Sequence, residues 1–320
     1  MTIPATAAPA ESSAKLPRQI PYIIGNEGCE RFSFYGMRNI LVQFLASSVL
    51  LAYLPTEDRG DMAKEVFHTF VIGVYFFPLL GGWLADRFFG KYRTVLWFSL
   101  IYCAGHACLA LFENHRNGFY TGLFLIALGS GGIKPLVVSF CGDQFDQTNK
   151  HLARKVFDGF YWIINFGSFF ASLLMPIFLR ELGPAVAFGI PGVLMFIATF
   201  IFWLGRKQYV NVPPAKSDPD SFLHVARTAL MAPGQGRSGF VVAMAGFALA
   251  VGLLLGWALH ATVGLSWWPE SFGFVISACL ALGVVIAFGG IGTSMQLDRA
   301  RGTHPDAAVD GVRAVLRILI

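Results

Sequence analysis

The hydrophobic positions of this chain fall into long, nearly unbroken runs. A helix needs roughly 20 apolar residues to cross a bilayer, and runs of that order occupy about 22–54, 66–86, 93–112, 119–140, 156–180 and 185–205. A polar stretch follows, broken by Pro213-Pro214, Asp218-Pro219 and Pro233-Gly234. Two more runs lie at about 239–263 and 271–296, and 312–320 looks like the start of a further helix. The pattern predicts an all-α integral membrane protein. Residues 21–206 read as a six-helix bundle, 207–238 as a cytoplasmic linker, 239–297 as a two-helix hairpin, and 298–320 as a cytoplasmic loop with the start of the next crossing. Residues 1–20, rich in Ala, Pro and Ser without a continuous apolar stretch, read as a disordered cytoplasmic tail with no cleaved signal peptide.

Composition supports the membrane reading. Of the 320 residues, 55% are hydrophobic and 13% charged, against about 25% charged in an ordinary soluble domain. The net charge of +5 points to basic loops on one face of a membrane rather than to nucleic acid. One set of alternate loops collects Lys15 and Arg18, then Arg87, Lys91 and Arg93, then Lys150, Arg154 and Lys155, and further cations to Arg313. The other set holds Arg59, Lys64, Arg116 and Arg180. The bias predicts a multi-pass protein of the cell inner (cytoplasmic) membrane with its amino terminus in the cytoplasm. The cysteines are Cys29, Cys103, Cys108, Cys141 and Cys279. Their spacing offers neither a zinc site nor a disulfide framework, so they read as packing residues. No metal-ligand cluster, nucleophile–base pair or cofactor loop stands out, so the chain does not read as an enzyme and calls for no cofactor.

Arg31, Arg38 and Lys134 lie inside the apolar runs. A charge at membrane depth is costly and usually lines a wet cavity with a partner. Glu27, Glu30 and Arg31 are related by helical i+3 and i+4 steps, and Tyr35 and Arg38 continue their face. The plainer alternative is a helix N-terminus outside the lipid, where acids are favoured by the helix dipole. Lys134 stands in Gly129-Ser130-Gly131-Gly132-Ile133-Lys134-Pro135. Small residues there allow close helix approach, and Pro135 can kink the helix. Snorkelling to the interface is the alternative for Lys134. Tyr161, Asn165, Ser168 and Ser172 form a polar stripe at helical spacing, for which interhelical hydrogen bonding is an equal reading. His68 and Tyr75 share a helix face.

These segments carry a family resemblance. Glu27-Gly28-Cys29-Glu30-Arg31-Phe32-Ser33-Phe34-Tyr35-Gly36 resembles the Glu-x-x-Glu-Arg-Phe-x-Tyr-Tyr-Gly motif of the proton-dependent oligopeptide transporters, the peptide branch of the major facilitator superfamily. It departs at Phe34, where a tyrosine is usual. The loop from Gly82 through Asp86 and Arg87 to Lys91 resembles the superfamily's Gly-x-x-x-Asp-Arg-x-Gly-Lys/Arg loop. The run from Gly131 to Pro135 with Gly142-Asp143-Gln144-Phe145 resembles the family's second signature. Phe160-Tyr161-Trp162-Ile163-Ile164-Asn165-Phe166-Gly167-Ser168 resembles Phe-Tyr-x-x-Ile-Asn-x-Gly-Ser, which lines the peptide pocket in that family.

The resemblance implies proton-coupled uptake of di- and tripeptides by alternating access. Glu27, Glu30, Arg31 and His68 would serve proton coupling. Arg31, Tyr35, Tyr75, Lys134, Tyr161 and Asn165 would bind substrate. Gly82, Asp86, Arg87, Gly132, Pro135 and Asp143 would act as gate and scaffold. It also implies a bacterial member with two inserted helices, working as a monomer in the lipid bilayer without a nucleic-acid partner. The second bundle of such a transporter does not appear in these residues, so the chain reads as a fragment.

The chemistry agrees. A zwitterionic peptide needs cations for its carboxylate, and Arg31 and Lys134 can supply them. Burial and those cations act on the Glu27 and Glu30 carboxyls in opposite senses, so a proton can switch the ion pairing. Two alternatives stay open: the same fold carrying nitrate or another organic anion, and a non-transporting half-length membrane protein.

Overall fold

The computed structural model describes residues 15–214, 218–232, 236–264 and 273–319. Most of the expected tail, the Pro233-Gly234 breaker, the start of the eighth run and Ile320 lie outside the described residues. The described chain is helical, with an isolated β-bridge pairing Arg301 with His304. It divides into two compact units between Pro214 and Ala215.

The first unit contains six long helices: α1 (Ile20–Ser47), α2 (Thr56–Leu84), α3 (Lys91–Leu111), α4 (Arg116–Gly142), α5 (Ala153–Leu182) and α6 (Pro184–Leu204). Two boundaries differ from the apolar pattern. The first run does not continue as one helix to 54, because α1 stops at Ser48 and a 3₁₀ turn spans Val49–Leu51. Helix α2 starts at Thr56, ahead of the apolar run at 66. Its first turns carry Glu57, Asp58, Arg59, Asp61, Lys64 and Glu65. Hydropathy cannot register them, yet Glu57 and Asp58 suit the positive end of the helix dipole. A π-helical turn, Ala85–Phe89, closes α2, and Gly90 at φ +75° reverses the chain into α3.

Helix α1 packs between α5 and α6, while α4 packs on α3 and α2. Lipid is as apolar as leucine, so close packing at small residues does much of the work that water would otherwise do. Gly132 shows this: a Cβ there would enter the Phe98 ring of α3, and Gly81 of α2 lies against the Gly131–Gly132 backbone. Phe44, Phe119 and Phe188 close the core with ring centroids 5.0–5.4 Å apart. Exposed Trp97, Phe124, Val193 and Phe196 form an outer surface suited to lipid.

The second unit contains α7 (Phe222–Met231), α8 (Ser238–Val263), α9 (Phe274–Gln296) and α10 (Asp306–Leu319). Helix α7 lies within the stretch expected to be a linker. Its ten residues are too few to stand out by hydropathy, and it buries only Val225, Ala226 and Ala229. Helices α8 and α9 run antiparallel, with Gly239 against Gly292 and Gly246 against Phe288. A small core joins Val225 and Ala229 to Leu297, Ala300, Val309, Val312 and Leu316.

Among the described residues seven helices are long and apolar enough to cross a membrane: α2 to α6, α8 and α9. Helix α1 has the length, 28 residues, but carries Glu27, Glu30, Arg31 and Arg38.

Candidate functional site

Helix α1 begins with Pro21 in its first turn and has no β-branched run through its charged segment. One turn therefore brings Glu27 and Arg31 together. Arg31 Nε donates to Glu27 Oε1 at 2.6 Å, and Glu30 Oε2 lies 3.4 Å from the same nitrogen. The three side chains are buried, both glutamates completely. This excludes the helix-terminus alternative, since they sit in the body of a packed helix. Glu27 Oε2 and both Glu30 oxygens have no hydrogen-bond donor among the described residues. Buried carboxylate oxygens without donors are uncommon and costly. Gly28 makes the arrangement possible, because a Cβ there would stand 2.9 Å from Ile163 of α5.

Lys134 reaches the same region from α4. Its Nζ lies 3.1 Å from the centroid of the Phe34 ring, a cation–π contact. Among the described residues it has no carboxylate within ion-pair distance. Pro135 does not interrupt α4, which runs unbroken from Arg116 to Gly142. Tyr35 sits beside Phe34, edge to face at 5.6 Å. Arg38 lies 5.6 Å over the Phe67 ring of α2.

The remaining expected site residues do not join this cluster. Tyr75 and Tyr161 are 74% and 73% exposed. Asn165 is exposed and donates to the Tyr161 carbonyl of its own helix at 2.7 Å. The stripe continues within α5: Ser168 donates to the Asn165 carbonyl and Ser172 to the Ser168 carbonyl. One interhelical bond does form, from Asn39 of α1 to Ser172. His68 is exposed beside Phe67. Gly82 faces open space, and Asp86 and Arg87 are exposed. Asp143 pairs with Lys91 at 2.7 Å, tying the end of α4 to the start of α3.

Two buried arrangements carry no signal in the residue pattern. Ser33 of α1 donates to the Pro191 carbonyl of α6 at 2.7 Å. Its single proton being used there, His106 of α3 donates through Nε2 to Ser33 Oγ at 2.9 Å. This pins α1 to two helices one turn beyond Glu30. Gln144 accepts from the Val210 N–H at 2.8 Å and from Gln19 Nε2 at 3.2 Å. His106 stands inside an apolar run and Gln144 just beyond the end of one, and their partners lie too far away in sequence to infer.

The site is thus a buried Glu27–Arg31–Glu30 cluster on α1 and an aromatic-bound Lys134 on α4, within a bundle of helices long and apolar enough to cross a membrane. The family model described as PTR2, POT family, matches residues 92–252, and the chain belongs to the POT family. It is 62% identical to the chain in the in meso crystal structure of the POT family transporter PepTSo, with a TM-score of 0.86 over 95% of this chain and 58% of that one. A crystal structure of an auto inhibited POT family peptide transporter is 64% identical, with a TM-score of 0.85 over 94% of this chain and 57% of that one. Among curated relatives, Peptide transporter family 1 of Drosophila melanogaster is 39% identical over 62% of this chain and 28% of its own length. Solute carrier family 15 member 2 of Homo sapiens is 36% identical over 65% of this chain and 29% of its own. The chain thus spans under a third of the curated relatives it matches, and somewhat under three fifths of the two solved structures.

Proposed function

We propose that the full-length protein is a proton-coupled importer of di- and tripeptides working by alternating access, and that this chain holds its carboxylate-binding and proton-coupling half. The observation that carries the reading is the contrast between two cations. Arg31 is held by two buried carboxylates, whereas Lys134 rests on an aromatic face. A peptide carboxylate can pair with Lys134 at once. Arg31 becomes available when a proton neutralises Glu27, so one added proton and one bound carboxylate leave the cluster's charge balanced. Substrate and proton then favour each other's presence, as symport requires.

Tyr75, Tyr161 and Asn165, on open faces of α2 and α5, supply hydrogen bonds for peptide amides. The exposed Phe and Trp beside them provide tolerant apolar walls. His68 is a secondary coupling group. Gly82 in the last turn of α2, with Asp86 and Arg87 of the π-helical turn, forms a hinge between α2 and α3, and Lys91–Asp143 stabilises one conformation of it. The protein sits in the cell inner membrane with its amino terminus in the cytoplasm, as the loop charges favour. The names of the relatives support peptide as cargo.

Uptake of labelled dialanine into liposomes by the full-length protein tests this. The expected result is accumulation that requires an inward proton gradient and is competed by tripeptide. Nitrate or organic-anion uptake without dialanine uptake would move the assignment to an anion carrier.

A further inference from the structure

The second unit contains an open cleft of about 380 Å³ lined by His224, Arg227, Thr228, Met231, Ala232 and Thr303. Its floor is one face of α7, since His224, Thr228 and Met231 follow at i, i+4 and i+7. Its far side is Thr303, which follows Gly302 in the left-handed region at φ +86°. The wall is fixed rather than loose. Thr228 donates to His304 Nε2 at 2.9 Å while Asp220 accepts from His304 Nδ1 at 2.7 Å. Those bonds turn the Asp220 carboxylate toward His304. Arg227, exposed on α7, is without an ion-pair partner among the described residues.

Two hydrogen bonds tie the surroundings of the cleft to the ends of α8 and α9. Gln296, where α9 ends, donates to the Leu230 carbonyl of α7 at 2.9 Å. Arg299 donates to the Gly236 carbonyl at 2.7 Å, just ahead of Ser238 where α8 begins. The cleft therefore lies beside the end of α9 and the start of α8, the two helices of this unit long and apolar enough to cross a membrane. Leu223 and Met231 are 76% and 62% exposed on the same short helix. A helix at the interface carrying exposed apolar residues beside a free arginine is suited to lie among headgroups.

We propose that this cleft binds the phosphate group of an anionic phospholipid headgroup. Arg227 pairs with the phosphate, His224 and Thr303 hydrogen-bond its oxygens or glycerol, and Leu223 and Met231 meet the acyl chains. The site belongs to the second unit, and the proposal is independent of the transport reading.

Native mass spectrometry of the full-length protein released from detergent, titrated with phosphatidylglycerol or phosphatidylcholine, tests the assignment. Phosphatidylglycerol adducts are expected to exceed phosphatidylcholine adducts. In Arg227→Gln that preference should fall by about fivefold, the worth of one interfacial cation, with the melting temperature unchanged. Thr303→Val is a milder second variant and should weaken the adduct in the same direction. Equal binding of the two lipids, or a preference unaltered in both variants, would overturn the proposal. Loss of the preference in the presence of millimolar inorganic phosphate, with phosphate itself retained on the protein, would assign the cleft to a free anion and also overturn it.

Discussion

The Lys134 ammonium stands 3.1 Å from the centre of the Phe34 ring, so the cation expected to receive substrate is held by a residue that carries no charge. An aromatic face stabilises a desolvated cation by about 2 kcal/mol or more, without cancelling its charge. A carboxylate partner would hold the lysine more tightly and compete with the substrate for it. Phe34 is also where the chain departs from the tyrosine usual in its first motif. Loss of that hydroxyl leaves the ring contact possible.

Changing this contact should alter affinity without altering the fold. Phe34→Leu releases Lys134 from this resting contact and is expected to lower the KM for dialanine by about fivefold, corresponding to roughly 1 kcal/mol of lost cation–π stabilisation in the substrate-free protein. Phe34→Tyr should stay within about twofold of the parent. Initial-rate uptake at several substrate concentrations checks both. Lys134→Ala should reduce uptake by about a hundredfold, within the range for removing a partner from a charged hydrogen bond.

Gly132 is a packing test independent of transport. Any side chain there meets the Phe98 ring. Gly132→Val should destabilise the first unit by about 1–3 kcal/mol, the usual cost of overpacking. Thermal unfolding in detergent should show a lowered Tm, and Gly82→Ala, facing open space, should show almost none.

The Ser33–His106 bond offers a third test. His106→Gln can still donate to Ser33 and is expected to retain most stability. His106→Ala leaves the Ser33 oxygen without its donor and opens a cavity, which should cost about 2–4 kcal/mol. The difference between the two unfolding midpoints reads the bond.

Lys91 and Asp143 are each one-fifth exposed, so their pairing is worth more than that of a fully solvated pair but remains modest. A double-mutant cycle with Lys91→Ala and Asp143→Ala should give a coupling energy of about 1 kcal/mol, decreasing with added salt.

The amino-acid pattern reads well where chemistry is local. Glu27 and Arg31 are one helical turn apart, so their meeting follows from α1 being a helix. The apolar runs likewise place α3 to α6 and α8 within a few residues. Legibility ends where information is non-local or amphipathic. The charged opening of α2 carries no hydropathy signal, and α7 is too short for its period to emerge from the surrounding polar chain. His106 finds Ser33 across 73 residues, and no spacing rule spans that distance. Tyr75, Tyr161 and Asn165 are legible as polar residues on helix faces, but they remain apart from the Glu27–Arg31–Lys134 cluster in the structure. The pattern conveys which face a residue occupies and leaves open what fills the space in front of it.

The central claim is that the Glu27–Arg31 pair couples protons to substrate. The most direct measurement compares gradient-driven accumulation with gradient-free counterflow of dialanine in Glu27→Gln of the full-length protein. Glutamine keeps the size and a hydrogen-bond acceptor for Arg31 but cannot exchange a proton. The account predicts that counterflow persists while accumulation against a concentration gradient is lost. Accumulation that survives in Glu27→Gln at the parental level would contradict it.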